Sequence, residues 1–140
     1  MSAATENEKQ SVHLNEIGQI ALTVQDLQRA KDFYQNTLGM QLLFEAGAMA
    51  FFQCGAIRLM LGTSEKAVSN EGTILYFRVE DIHGVHSALK NRGVPIAQEP
   101  HLVARMKSHD LWLAFFKDPD GNTLALISEI GRAQPADQGH

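Results

Sequence analysis

The chain has 140 residues, 44% apolar and 20% charged, with a formal net charge of −4. This is about one domain's worth of soluble globular sequence. Lys and Arg are scattered without a basic block, which argues against nucleic acid as a partner, and no apolar run approaches the roughly 20 residues of a membrane span. The opening MSAATENEKQSVHLNE is polar and acidic, unlike a signal or transit peptide. Cys54 is the single cysteine, so neither an internal disulfide nor a cysteine-based zinc site is available. A cytoplasmic location is expected.

Residues 1–14 are polar, lack periodicity and read as a disordered tail. Residues 17–24 (IGQIALTV) alternate as a strand, with Ile20, Leu22 and Val24 on one face and Gln19, Ala21 and Thr23 on the other. Asp26 suits a helix N-cap. Leu27, Ala30, Phe33, Tyr34 and Leu38 then follow at helical spacing up to Gly39. Residues 41–46, 49–54 and 56–62 read as three strands, broken at Gly47 and Gly55.

The second half runs the same way. A strand over 73–79 leads to Asp81 as N-cap, and a helix carrying Ile82, Val85 and Leu89 stops at Gly93. Strands are expected at roughly 95–98, at 110–117 and at 122–129, the last two joined by the turn Asp118-Pro119-Asp120-Gly121. PHLVARMKSHDLW, residues 100–112, reads as a long connection, and residues 131–140 as a second disordered tail. Val24 and Val79, and likewise Asp26 and Asp81, stand 55 positions apart. Such an internal repeat is the strongest evidence for architecture. The implied fold class is α+β: two βαβββ repeats, residues 15–63 and 72–130, within one domain over 15–130.

Two βαβββ units, V-x-D-(L/I) opening each helix, FYQNTLGM closing the first and DPDGN before the last strand resemble the vicinal oxygen chelate superfamily. That group includes glyoxalase I, bleomycin-resistance proteins, fosfomycin-resistance enzymes and extradiol dioxygenases. The resemblance implies that the sheets curl into an eight-stranded trough with helices outside. In catalytic members the trough holds a divalent metal on His, Gln and Glu. It also implies a homodimer, with the trough formed either within one chain or by exchange of halves between two.

Carried over position by position, the four metal ligands of the family fall on Gln19, Met60 (or Arg58 with a one-step shift), Ile74 and Ala125. Only Gln19 suits a hard divalent cation, and one neutral amide is too little for a metal site. The expected cofactor is therefore none, with a divalent metal left open. Strand alternation places Ala21, Thr23, Arg58, Met60, Ile74, Tyr76, Arg78, Leu113, Phe115, Thr123 and Ala125 on the face of Gln19. That surface is apolar with an aromatic pair and two arginines, a recipe for a small-molecule pocket. Arg58 and Arg78 suit a carboxylate or phosphate; the bland reading is that they face water beside acids. The connection 100–112 reads as a lid in which His101 and Arg105 reach the ligand, or as a plain solvated loop.

His83 and His86 read as solvated or interfacial. Trp112 falls out of phase with Leu113 and Phe115 and reads as an anchor under a helix or at a subunit interface, or as a pocket residue if the register slips by one, and Cys54 as a small buried residue. The expected function is binding of an apolar, aromatic or anionic small molecule at a degenerate metal site. The alternative is a metal-dependent lyase, isomerase or dioxygenase.

Overall fold

Two aspartates start the two helices. In the computed structural model, which describes residues 12–64 and 70–131, Asp26 accepts from the Arg29 amide at 3.1 Å and Asp81 from the Gly84 amide at 3.0 Å. Each cap satisfies a first-turn donor, worth about 1 kcal/mol. Helix α1 (Leu27–Asp32) passes directly into a π-helical segment, Phe33–Thr37, whereas the sequence pattern suggests one uninterrupted α-helix to Leu38. Helix α2 spans Ile82–Asn91. Gly39 and Gly93 follow the two helices at φ +79° and +82°, where a side chain would be strained.

The strands are β1 (Gln19–Thr23), β2 (Gln41–Ala46), β3 (Met49–Cys54), β4 (Ile57–Gly62), β5 (Leu75–Arg78), β6 (Ile96–Arg105), β7 (His109–Lys117) and β8 (Thr123–Gly131). They form two mixed four-stranded sheets, ordered β1-β4-β3-β2 and β5-β8-β7-β6. In each sheet the first strand pairs in parallel with the fourth and the remaining pairs are antiparallel. This is the expected βαβββ repeat. The distal parts of the two predicted tails, residues 1–11 and 132–140, lie outside the described residues; residues 12–14 are exposed and have no regular structure.

Helix α1 lies on β3 and β4, and α2 on β6, β7 and β8. The residues beneath them form one core that includes Leu22, Val24, Phe52, Leu59 and Leu61 from the first half and Ala114, Phe116, Leu124 and Leu126 from the second. Trp112 shares this helix-covered side and meets His83 of α2 edge to face at 5.2 Å, which decides between the sides the sequence left open. His86 departs from the expectation of a solvated residue. It is buried, with Nε2 3.8 Å from Glu99 of β6, because α2 packs that turn against the strand.

The segment 100–112 is not a lid. Strand β6 runs on through Arg105, and only Met106–Ser108 turn into β7. Pro100 is tolerated because β6 is an edge strand and its pairing with β7 shifts register between Gln98 and His101; both settings spare a proline its missing donor.

The DPDG turn joins the two halves. The buried Asp118 carboxylate accepts from the amides of Asp120 and Asn122 at 2.9 and 2.8 Å, and from the Asn122 side chain at 2.8 Å. The Tyr34 hydroxyl, from the first half, donates to it at 2.8 Å. Asp120 accepts from the Gln25 amide at 2.8 Å and pairs with Arg29 at 3.4 Å. Asn70 adds a third link. It exchanges two hydrogen bonds with the Thr23 backbone, at 3.1 and 2.7 Å, and donates to Asn122 at 2.9 Å.

Candidate ligand site

Each sheet has one helix-covered face and one open face. On the first sheet, register puts Gln19 beside Arg58, Ala21 beside Met60 and Thr23 beside Gly62. The same face continues over Phe51 and Gln53 of β3. Phe51 stacks on Phe44 with centroids 4.4 Å apart, and the Arg58 guanidinium lies 5.9 Å from the Phe51 ring. A cation over a ring face at this range is attracted by its quadrupole. Arg58 is exposed and makes no ion pair with a carboxylate of the described residues.

On the second sheet, Tyr76 pairs with Ala125, and Ala125 with Phe115. Phe115 meets Tyr76 edge to face at 6.1 Å and His101 nearly parallel at 6.4 Å. The His101 ring is oriented by Nδ1, which lies 2.8 Å from the Glu99 carbonyl. Leu113 stands next to Phe115 on the same face of β7 and is paired with both Ile127 and His101. Ile74 immediately precedes β5 and is partly exposed.

The open faces thus carry nearly every residue expected there: Gln19, Ala21, Thr23, Arg58, Met60, Tyr76, Arg78, Leu113, Phe115, Thr123 and Ala125. His101 joins them from a strand rather than from a lid. Arg105 does not. It pairs in register with Asp110, 3.8 Å away, and alternation puts both on the side of Trp112 at the end of the hairpin. Arg78 is largely exposed and 3.5 Å from Glu129, whose carboxylate also lies 3.2 Å from His109 Nε2, as the bland reading of a strand-end arginine beside acids has it. The sequence reading missed Phe44, Phe51 and Lys117. The alternation in MAFFQC carries a signal for Phe51, since Phe52 is fully buried and Phe51 must then point the other way. Phe44 has no such signal, because the β2–β3 pairing shifts between Leu42 and Phe44.

Among the four positions where the family's metal ligands fall, Gln19 offers one amide oxygen and Met60 a soft thioether, while Ile74 and Ala125 offer nothing. Arg58, a permanent cation, is the direct register partner of Gln19. This donor set does not fit a hard divalent ion. Among the described residues no three His, Cys, Asp or Glu side chains are grouped to hold a metal.

Two groups have shifted acidity. Burial, followed by the neighbouring Asp118 carboxylate and its hydrogen bond, raises the Tyr34 hydroxyl far above the ordinary tyrosine value, so Tyr34 stays protonated as the donor to Asp118. Burial alone raises the Cys54 thiol, which lowers its thiolate fraction and nucleophilic reactivity.

Two uncharacterized proteins of Bacillus subtilis (strain 168) are similar over most of the chain. YraH is 28% identical over 127 residues, covering 80% of this chain and 97% of its own. YetH is 29% identical over 124 residues, covering 81% and 98%. Among solved structures, lactoylglutathione lyase from Agrobacterium tumefaciens superposes with a TM-score of 0.67 at 21% identity, over 81% of this chain and 93% of that one. A superfamily member from Sphaerobacter thermophilus gives 0.68 at 23% identity, over 83% and 98%. At these identities the structural likeness speaks to the fold alone. Residues 16–126 match the family model of the Glyoxalase/Bleomycin resistance protein/Dioxygenase superfamily, and the chain belongs to that superfamily.

Proposed function

We propose that the chain binds a small planar aromatic or anionic molecule on its open sheet faces and recognises it without a bound metal. One observation carries this reading. The faces that hold the metal in catalytic relatives here present two aromatic clusters, Phe44–Phe51 beside Arg58 and Tyr76–Phe115–His101, where hard ligands are missing. Phe44 is 45% and Tyr76 48% exposed, so their rings are available for stacking, worth about 0.5–1.5 kcal/mol per pair beyond area burial. Arg58 supplies a planar cation for a carboxylate at the edge of such a ligand.

The same surfaces support a homodimer. Ile74, Met49, Phe44 and Tyr76 are all at least 36% exposed, and apolar surface of this kind favours a partner. Sedimentation of the purified chain tests this; a strict monomer at micromolar concentration would refute it.

Ligand-detected NMR against a panel of planar aromatic compounds, neutral and carboxylate-bearing, tests the binding reading. Binding is expected to weaken about tenfold, or 1.4 kcal/mol, in both Phe51→Ala and Phe115→Ala. A panel without binders, or binding untouched by both substitutions, would refute it.

A further inference from the structure

The two halves enclose a second concavity, a cleft of about 430 Å³ between the end of β1 and the β7–β8 turn. We propose that this cleft is a binding site for a small monocarboxylate. The cleft shares Thr23 and Thr123 with the open faces, so the proposal rests on reading those faces as a ligand surface, and acetate, which has no ring to stack, tests it separately from the aromatic clusters.

Lys117 is the cation of the cleft. It is paired in register with Thr123, and its ammonium donates to the Thr123 hydroxyl. Among the described residues it makes no ion pair with a carboxylate. An ammonium has three protons, so two remain for an incoming acceptor. Lys117 is half-buried, and an anionic ligand would give its ammonium a charge partner. Thr23 and Thr73 also line the cleft, and a threonine hydroxyl can donate to a carboxylate. Ile74 gives an apolar wall for the short carbon chain.

The frame is fixed before any ligand arrives. Asn70 spends its donors on Thr23 and Asn122, and Asn122 spends its own on Asp118. These amides hold the walls in place, and preorganisation of this kind lowers the ordering cost of binding. Two acids set the charge limit. Asp120 lines the cleft with its Oδ1 offset by Arg29 at 3.4 Å, its Oδ2 buried without a hydrogen-bond partner among the described residues, and Glu71 also lines it. With Arg29 offsetting Asp120, Lys117 and Glu71 leave the cleft close to neutral, so one added negative charge is tolerated better than the two of a phosphate dianion.

Amide-detected NMR titration of the full chain, with acetate and inorganic phosphate at matched ionic strength, tests this. Acetate is expected to give saturable shifts at Gly72, Gly121, Asn122 and Thr123, with weaker response to phosphate. Lys117→Met keeps the aliphatic stem and is expected to weaken acetate about tenfold. Should that variant fail to fold, Thr123→Val, which removes the hydroxyl that positions the ammonium, is expected to weaken acetate in the same direction. Absence of saturable shifts up to about 50 mM acetate, where even a Kd in the tens of millimolar would register, would overturn the proposal. Equal affinity in the folded variant, or tighter binding of phosphate than of acetate, would overturn it as well.

Discussion

Replacing Tyr34 by Phe removes one oxygen from a fully buried ring and leaves the rest of the core in place. The hydroxyl donates to a carboxylate that is itself only 3% exposed, so water cannot take over the bond. A hydrogen bond to a charged group contributes about 1.5–3 kcal/mol. Asp118 keeps three other donors, the Asp120 and Asn122 amides and the Asn122 side chain, which places the cost in the lower part of that range. For a chain of this size each kcal/mol lowers the melting temperature by about 4 °C, so Tyr34→Phe, at about 1.5–2 kcal/mol, is expected to melt about 6–8 °C below wild type. Urea denaturation followed by circular dichroism reads the free energy directly. Tyr76→Phe is the control: Tyr76 is 48% exposed and its loss is expected to cost under about 0.5 kcal/mol. A Tyr34→Phe variant as stable as that control would refute the claim that this contact fastens the first half to the second.

The same tyrosine predicts an alkaline limit. Its folded pKa lies above the ordinary value of 10.0, so the unfolded chain releases the proton first. The contribution is intact below pH 10 and is lost as pH rises further, at up to about 1.4 kcal/mol per unit; denaturation series above pH 10 should show this slope in wild type and a shallower one in Tyr34→Phe. Phe116→Ala, at a position 2% exposed, is expected to cost about 3–5 kcal/mol, whereas Phe44→Ala on the open face should cost about 1 kcal/mol or less; equal costs in chemical denaturation would contradict the assignment of the faces. Cys54, its thiol raised by burial, should react with a disulfide reagent at pH 8 more slowly than free cysteine; a faster rate would show activation that the structure does not provide.

Most of the fold was legible because the two halves repeat one pattern and strand residues alternate strictly. Once Ile20, Leu22 and Val24 were assigned inward, Gln19, Ala21 and Thr23 had to face outward, and register carried that assignment to Arg58 and Met60. What stayed hidden was non-local or locally irregular. Pro100 and the bulges of β6 broke the alternation, so an edge strand read as a loop and Arg105 was read as reaching the ligand from a lid. Phe44 was lost to another register shift. The partnership of Tyr34 with Asp118 spans 84 positions, and periodicity carries no information about such a pair. That the DPDG turn closes β7 onto β8 was legible; that it also fastens the π-helical segment of the first half came only from the Tyr34–Asp118 contact.

The central claim is that ligand recognition on the open faces rests on aromatic and cationic side chains rather than on a held cation. The direct measurement is the metal-to-protein ratio after incubation with zinc, nickel, manganese or iron(II), followed by extensive dialysis. The account predicts a ratio far below one for every ion. A ratio near one that Gln19→Ala abolishes would contradict it.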